Sequence, residues 1–330
     1  MKVLFIGGTG NISSAVSKMA VSKGINLYLL NRGNRDSIEG VKQMHTDIHD
    51  VIKTKQLLST EKWDVVVNWV AFTVDDITRD FELFANSTKQ YIFISSASAY
   101  QKPPVNHIIT ESTPLVNPFW EYSRNKIACE EQLMHLYRTK GFPITIVRPS
   151  HTYNTVIPIT LGGWTEYTTV YRMKKGLPVV VQGDGTSLWT LTHAKDFARG
   201  FIGLLGNIHA IGEAFHITSD EILSWNQIYE TLAEAAGVKA NIVHIPTKQI
   251  CQYADKTGYP SEFGSLWGDK SHCAIFDNTK IKQFVPEYKV VIPFSEGIKE
   301  TIKWFEAKPE RMIINEATNN LIDGLIKIWG

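Results

Sequence analysis

A glycine-rich turn directly after a short apolar segment constrains the fold of this 330-residue chain more than any other feature. The apolar segment, residues 3–6, has the length and character of a first strand, and the sequence GGTGNIS follows it. A helix pattern begins at about Ser13. Glycine adopts backbone angles that other residues avoid, and it lets an anion approach the N–H groups at a helix N-terminus. The turn therefore predicts an anion-binding site between the first strand and the first helix.

The spacing of the glycines makes this prediction more specific. Gly7 and Gly10 fit the pattern GxxGxxG, which is typical of turns that bind the pyrophosphate of a dinucleotide. Ser13 occupies the third position, where a small side chain still permits close packing of the helix on the strand. The segment predicted to bind the cofactor consists of Gly7, Gly8, Thr9, Gly10, Asn11 and Ile12.

The rest of the first half alternates apolar segments with helix patterns, which predicts a parallel sheet covered by helices on both faces. The apolar runs at 65–67 and 144–147 are rich in β-branched residues, as expected of strands buried on both sides. We therefore predict an α/β protein with a doubly wound parallel sheet of the Rossmann type. Its cofactor domain is expected over residues 1–150, and a smaller, mixed α/β substrate lobe over 151–330. Segments near 189–218 are expected to return to the first domain.

The C-terminal residues 316–329 have the pattern of an amphipathic helix, although Gly324 lies inside it. Core packing and a subunit contact both explain the apolar face of such a helix.

Composition narrows the class of partner. The chain has 34 basic and 33 acidic residues, so its net charge of +1 gives no overall attraction to nucleic acid or to a membrane surface. Three separated cysteines predict reduced thiols and a cytoplasmic protein. The sequence has no apolar run near the ~20 residues that cross a bilayer. We expect a small-molecule partner, and a homodimer is compatible with the sequence.

The end of the second predicted strand bears on the choice of cofactor. An acidic residue there binds the adenosine ribose, whereas an arginine accommodates a 2′-phosphate. Here the strand ends at Asn31 and Arg32, with Arg35 nearby, so the sequence favours NADP(H), and NAD(H) is the alternative. Asp47 and Ile48 suit a contact to the adenine edge, although a plain surface aspartate explains Asp47 as well.

The segment YSRNK places Tyr122 and Lys126 four residues apart, on one face of a predicted helix. An ammonium near a phenol favours its ionised form and lowers its pKa from ~10, so that the tyrosine can exchange a proton with an alcohol or carbonyl oxygen. The strand ending IFISSASAY delivers Ser95, Ser96 and Ser98 to the carboxyl edge of the sheet, where open α/β folds bind ligands.

These motifs together resemble the extended short-chain dehydrogenase/reductase family, also called the NAD-dependent epimerase/dehydratase family. The resemblance covers about residues 1–303, and its landmarks are GGTGNIS, DI, VVNWVA, SSASAY, TES, YSRNK, RPSHTYN, GDGTSLWTLTHAKD and DNTK. It implies that Ser96, Tyr122 and Lys126 are catalytic. It also implies that Tyr122, Lys126, Val70, Ala71 and Pro149 contact the cofactor.

Departures from the family pattern narrow the implied reaction. Similar dehydratases have an Asp-Glu pair where this chain has Ala97 and Ser98, and some epimerising members have a cysteine at the position of Ser98. Many nucleotide-sugar enzymes have an arginine at the position of Trp189, and a tryptophan cannot balance a diphosphate. The sequence thus favours hydride transfer at a secondary alcohol or ketone of a sugar-like substrate, by a 4-epimerase or a ketone reductase.

Candidate substrate residues are Ser98, His151, Trp164 and Trp189, because hydroxyl, imidazole and aromatic groups suit a sugar ring. The histidines and cysteines have no spacing typical of a metal site. A non-catalytic alternative is kept open, since chloroplast RNA-binding relatives have a similar GGTG start and an NRG after the second strand.

Overall fold

The structure, a computed structural model, describes residues 1–259 and 263–330. Within this part of the chain the strands are, in order, β1 (Lys2–Ile6), β2 (Asn26–Asn31), β3 (Lys42–His45), β4 (Val65–Asn68), β5 (Tyr91–Ile94), β6 (Ile108–Ile109), β7 (Ile144–Pro149), β8 (His151–Tyr153), β9 (Val179–Gln182), β10 (Leu188–Trp189), β11 (Leu191–His193), β12 (Ala214–Ile217), β13 (Leu223–Ser224), β14 (Ile242–Ile245) and β15 (Ile275–Phe276). 

The helices of the same residues are α1 (Ser13–Ser22), α2 (Val51–Leu58), α3 (Val74–Phe84), α4 (Glu121–Lys140), α5 (Thr168–Lys174), α6 (Ala194–Ile202), α7 (Trp225–Ala235), α8 (Thr247–Thr257), α9 (Thr279–Phe284), α10 (Phe294–Glu306) and α11 (Glu316–Trp329). A π-helical segment, Phe263–Lys270, precedes β15. No helix of the described residues has both the length and the apolar character needed to cross a membrane.

Seven strands form one parallel sheet in the order β12-β7-β5-β4-β1-β2-β3. The strand order reverses direction between β1 and β4, which is the point where doubly wound sheets bind ligands beyond the carboxyl ends of their strands. The predicted Rossmann-type α/β fold is therefore confirmed. β12, from the segment near 189–218, is hydrogen-bonded beside β7 in this sheet.

Helices cover both faces of the sheet because its strands present apolar side chains on both sides. On one face α1 and α6 pack over residues such as Val3, Phe5 and Val67. On the other face α3 and α4 pack over residues such as Leu4, Val66 and Phe93. Burying one such side chain contributes roughly 1.5 to 3 kcal/mol, so the strand ends that carry the site residues are held on a rigid support.

The C-terminal lobe is smaller and mixed, as predicted. Its short sheets pair β8 with β11 and β9 with β14 in parallel, and β10 with β13 antiparallel. The helix α11 has the predicted amphipathic character, and its residues Leu321, Ile322 and Leu325 are buried against α8. Gly324 lies in this helix because a Cβ there would come within 2.0 Å of the Tyr253 hydroxyl, so helix packing requires a glycine.

Candidate active site

Two adjoining cavities lie along the carboxyl edge of the sheet. The first, here called the turn cavity, has a volume of about 490 Å³ and lies over the glycine turn that joins β1 to α1. The second, here called the tyrosine cavity, has a volume of about 500 Å³ and contains Tyr122. Both are lined by Gly10, Ser13, Trp69 and Phe72, so they form one continuous cleft. A further cavity of about 750 Å³, beside α4 and β7, contains none of the predicted site residues.

The turn cavity brings together most residues that were predicted to bind the adenosine and pyrophosphate part of a dinucleotide. Its lining includes Gly7, Gly8, Thr9, Gly10, Asn31, Arg32, Arg35, Asp47, Ile48 and Val70. Gly7 and Gly8 have φ angles of 94° and 98°, which favour glycine. A Cβ at Gly8 would come within 2.6 Å of Leu29, so β2 packs against this turn too closely for any other residue.

The first turn of α1 is well suited to bind an anion. Ile12, the residue just before the helix, provides no side-chain cap for the backbone N–H groups. The N-terminal end of the helix thus presents hydrogen-bond donors and a positive dipole to the cleft. Together with the close-packed glycine turn, this geometry fits the pyrophosphate of a dinucleotide.

Arginine and aspartate side chains define the far end of the turn cavity. Arg35 reaches back over the turn and donates a hydrogen bond from Nη1 to the Thr9 carbonyl at 2.9 Å. Asn31 does not face a ligand freely, because its Oδ1 accepts the Gly33 N–H at 2.9 Å and closes the loop after β2. Asp47 accepts the His49 N–H at 3.0 Å.

The tyrosine cavity contains the three residues predicted to be catalytic, Ser96, Tyr122 and Lys126. Ser96 follows β5, and its hydroxyl lies 2.9 Å from that of Ser98. Ser98 in turn accepts a hydrogen bond from Ser123 of α4 at 2.8 Å. This chain of hydroxyl groups holds Ser96 beside Tyr122, and Ser96 acts to lower the pKa of Tyr122. Ser98, predicted to bind substrate, is 5% exposed and supports Ser96 from behind.

The expected lowering of the Tyr122 pKa by Lys126 is not found in the chain itself. Burial raises the pKa of Tyr122 above its ordinary value, while the hydrogen bond with Ser96 opposes this and the charge of Asp269 adds to it. The Lys126 ammonium is 5.8 Å from the centroid of the Tyr122 ring. Its Nζ instead donates hydrogen bonds to two backbone carbonyls.

Those carbonyls belong to Ala71 and Ile94, which accept hydrogen bonds from Lys126 Nζ at 2.7 and 2.8 Å. Ala71, predicted to contact the cofactor, is itself buried and lines neither cavity, so its carbonyl serves to hold the lysine. The ammonium also lies over the Phe72 ring at 4.4 Å. Burial lowers the pKa of Lys126 to about 8.

A buried ion pair joins α4 to β7 behind the residues that were predicted to be catalytic. Glu130 lies one helical turn beyond Lys126, and its carboxylate accepts hydrogen bonds from both Nε and Nη2 of Arg148. Ser95, the neighbour of Ser96, donates to the same carboxylate at 2.5 Å. The repeat of four residues from Tyr122 through Lys126 to Glu130 is a signal in the sequence that could have identified this support.

The three predicted substrate residues beyond Ser98 also line the tyrosine cavity, together with Asn11, Ile12 and Pro149 from the predicted cofactor set. His151 stacks on Trp164 with a centroid distance of 4.4 Å. The ring of Trp189 lies 6.5 Å from His151 and 5.3 Å from Trp225. Burial holds the pKa of His151 well below its ordinary value, so this imidazole is neutral.

Sequence analysis did not identify Lys102, Asp269 and Lys270 as part of this wall, although all three line the cavity. Lys102 follows β5, whereas Asp269 and Lys270 end the π-helical segment far along the chain. No local spacing links these residues, so only the folded chain shows that they meet. No group of three or more metal-ligating side chains suited to an ion occurs in the described residues.

Comparison with known proteins identifies the family to which this cleft belongs. The model of the NAD dependent epimerase/dehydratase family matches residues 3–218, which include the glycine turn and the three catalytic candidates. The chain belongs to the NAD dependent epimerase/dehydratase family. Members of this family are enzymes that bind NAD(H), as the sequence motifs implied.

Individual relatives of this family differ in function. The chain is 27% identical over 275 residues to a chloroplast stem-loop binding protein of 41 kDa from Arabidopsis thaliana, covering 78% of this chain and 69% of the relative. It is 24% identical over 291 residues to 2′-dehydrokanamycin reductase from Streptomyces kanamyceticus, covering 88% and 80%. The structure of a dTDP-glucose 4,6-dehydratase from Bacillus anthracis, in complex with NAD, matches with a TM-score of 0.72 at 17% identity, covering 94% of this chain and 98% of the other.

Proposed function

We propose that this chain interconverts a secondary alcohol and a ketone on a sugar-like substrate, as a 4-epimerase or a ketone reductase, with NADP(H) as its preferred cofactor. The observation that carries the proposal is the meeting of Ser96, Tyr122 and Lys126 in one cavity that opens onto the glycine turn. A nicotinamide dinucleotide, when bound, supplies or accepts a hydride at the substrate carbon. Gly7 to Ile12 would hold its pyrophosphate and Lys126 its nicotinamide ribose.

The protein side chains provide the proton transfer and the orientation. The Tyr122 hydroxyl gives its proton to the ketone oxygen during reduction, or takes the proton of the alcohol during oxidation. Ser96, held by Ser98, donates a hydrogen bond to the same substrate oxygen as charge develops there. The positive charge of Lys126, 5.8 Å from the centroid of the Tyr122 ring, opposes in part the effect of burial, which disfavours the phenolate that forms during reduction.

One experiment separates the two reactions and tests the proposal. Native mass spectrometry of the purified protein would identify a bound nucleotide and any retained substrate. A tightly held nucleotide that stays redox-neutral over many turnovers indicates an epimerase, whereas net consumption of NADPH with a ketone indicates a reductase. A protein that binds no nicotinamide nucleotide would contradict both.

The preference for NADP(H) is supported by the charge at the far end of the turn cavity. Arg32 and Arg35 line it, and the chain has no carboxylate at the end of β2 to bind the ribose hydroxyls. A guanidinium is the group that best matches a 2′-phosphate. Calorimetric titration with NADPH and NADH measures this preference, and tighter binding of NADH would contradict it.

The proposal also includes weak binding of nucleotide diphosphate sugars. Trp189 is 2% exposed and supplies no charge where relatives have an arginine. Arg172 does not replace it, because its guanidinium is buried in hydrogen bonds to Asn319 and Asp323 on α11. Saturation by UDP-glucose at micromolar concentration would contradict this part of the proposal.

A second candidate function is regulatory nucleic-acid binding, which the similarity to the chloroplast stem-loop binding protein favours. The net charge of +1 and the presence of Ser96, Tyr122 and Lys126 argue for the enzyme instead. Salt-dependent binding of an RNA stem-loop, with no turnover of any alcohol or ketone, would support this second function.

A further inference from the structure

A buried ion pair lies in the wall of the tyrosine cavity. Lys102 Nζ is 3.2 Å from Asp269 Oδ1, and the two side chains are 1% and 16% exposed. Asp269 lies close enough to Tyr122 to influence its pKa, so the pair borders the space where a substrate would meet the catalytic hydroxyl. The reaction described above uses neither residue. Burying two charges is costly, and a binding role at the site is one reason for a fold to retain them.

Unpartnered polar atoms adjoin this pair in the same wall. Among residues 1–259 and 263–330, neither ring nitrogen of His151 has a hydrogen-bond partner, although the residue is only 6% exposed. The indole nitrogen of Trp189, 2% exposed, has none either. Buried polar atoms are nearly always hydrogen-bonded in native proteins, so exceptions at a cavity suggest that a ligand completes them. Because His151 is neutral, it offers one donor and one acceptor.

The chemistry of these groups matches a hydroxyl better than an anion. A hydroxyl both donates and accepts hydrogen bonds. It can therefore donate to the Asp269 carboxylate while it accepts from the Lys102 ammonium. A phosphate or carboxylate only accepts, so an anion that bonds Lys102 would also meet the carboxylate of Asp269, to which it cannot donate a hydrogen bond. Asp269 also balances the charge of Lys102. Lys270, on the same wall, donates to the Ser265 carbonyl at 3.3 Å and lies 5.3 Å from the Trp164 ring.

We propose that Lys102, Asp269 and His151 form a hydroxyl-recognition wall, which selects an uncharged polyhydroxylated ring that carries neither phosphate nor carboxylate. The apolar face of such a ring packs against Trp164, and the wall turns one of its carbinol carbons toward Tyr122. The inference rests on the proposed function, because that function supplies the reaction at this carbon.

The first test compares neutral and anionic versions of the same ring on the cofactor-loaded wild-type protein. Saturation-transfer NMR titrations use glucose, galactose and myo-inositol as neutral probes, and glucuronate, glucose 6-phosphate and UDP-glucose as anionic probes. We expect at least one neutral ring to bind saturably, and its anionic derivatives to bind about tenfold or more weakly, which corresponds to ~1.4 kcal/mol. Tighter binding of an anionic probe, or no saturable binding of any neutral ring, overturns the proposal.

The second test changes the charge balance of the wall. Asp269→Asn leaves the Lys102 ammonium without its carboxylate, so binding of the neutral ring should weaken about tenfold while binding of glucuronate should tighten. Lys102→Met should weaken binding of the neutral ring without helping glucuronate. Asp184→Asn, at an exposed carboxylate outside the cavity, is the control and should change neither. Unchanged affinities in a folded Asp269→Asn protein overturn the proposal, and the wild-type comparison does not depend on this variant.

The outcomes also separate this inference from the proposed function. A neutral ring that binds through the wall but never exchanges a hydride with the cofactor leaves the inference standing and contradicts the function. An anionic ring that is turned over with loss of activity in Tyr122→Phe supports the function and contradicts the inference.

Discussion

The two cavities of the cleft are built in different ways. The turn cavity takes most of its lining from short segments at the ends of four strands, namely residues 7–10 and 13 after β1, 30–35 at the end of β2, 46–49 after β3, and 69, 70 and 72 after β4. The tyrosine cavity takes its wall from residues scattered between Gly10 and Phe276. In the turn cavity, the backbone conformation of the glycine turn shapes the lining. In the tyrosine cavity, side chains from distant segments converge. Local sequence can therefore predict the segments that line the turn cavity, whereas it predicts the wall of the tyrosine cavity only in part and misses Lys102, Asp269 and Lys270.

Lys126 provides the strongest test of this comparison, because it belongs to the tyrosine cavity but is proposed to bind the cofactor as well. Lys126→Met removes both the ribose contact and the charge near Tyr122. Turnover should fall by more than ~10²-fold, and nucleotide affinity should fall with it. Single-turnover hydride transfer and calorimetric titration measure the two effects. Lys140→Met, exposed at the end of α4, is the matched control. Full nucleotide affinity in Lys126→Met would show that Lys126 does not contact the bound nucleotide.

Tyr122→Phe should affect only the chemistry, since it removes one hydroxyl and keeps the ring that packs on Trp120. Turnover should fall by a factor on the order of 10² or more, while nucleotide affinity and the melting temperature stay near those of the wild type. The same substitution at Tyr137, farther along α4, should leave turnover unchanged. Near-normal hydride transfer in Tyr122→Phe would reject the proton-transfer role.

The burial of Lys126 predicts a dependence of stability on pH. Its pKa is about 8 in the folded chain and 10.5 ordinarily, so between these values the unfolded chain holds a proton that the folded chain has lost. The free energy of unfolding should therefore rise with pH across this window, by at most ~1.4 kcal/mol per pH unit, and the contribution should be constant below pH 8. Denaturation curves of the wild type and Lys126→Met isolate the effect. Equal pH dependence in both proteins would contradict it.

Gly8→Ala tests whether backbone conformation defines the turn cavity. With φ near 98° and a Cβ only 2.6 Å from Leu29, the alanine should reduce the free energy of unfolding by ~1 to 3 kcal/mol and weaken nucleotide binding. Gly237→Ala is the control, since its φ is 77° but its Cβ meets no atom within 4 Å. It should lose some stability and keep nucleotide affinity. Unimpaired nucleotide binding in Gly8→Ala would show that the turn tolerates a side chain.

Arg32→Asp tests the one part of the turn cavity that depends on a side-chain charge. It should narrow or reverse the preference for NADPH over NADH, with a change of about tenfold in the ratio of their dissociation constants. Arg138→Asp, exposed on α4 and outside both cavities, should leave the ratio unchanged. A wild-type preference for NADH would remove the basis of this prediction.

The sequence predicted the Rossmann-type sheet correctly because alternation and β-branched runs are local signals of buried parallel strands. It also placed Ser96 at the carboxyl edge of the sheet, because Ser96 follows a predicted strand, and the resemblance to the family implied that Tyr122 joins it there. It predicted that Lys126 lowers the pKa of Tyr122, whereas burial raises that pKa in the folded chain. The spacing of four residues brings Lys126 to the same face, but the direction of its ammonium depends on the Ala71 and Ile94 carbonyls, which the fold supplies.

By itself, then, the sequence determined the fold class and the glycine turn through short-range patterns, and its ordered motifs implied the Ser-Tyr-Lys set through their resemblance to the family. Only the tertiary structure showed that Lys102 and Asp269 meet beside Tyr122, that Ser98 supports Ser96 from behind, and that Arg172 is held by α11 away from the cleft. The physical reason is that the Lys102–Asp269 and Arg172–α11 contacts join segments far apart in the chain, while Ser98 is held by Ser123 of α4. Residues far apart in the chain become neighbours only when hydrophobic burial brings their segments together.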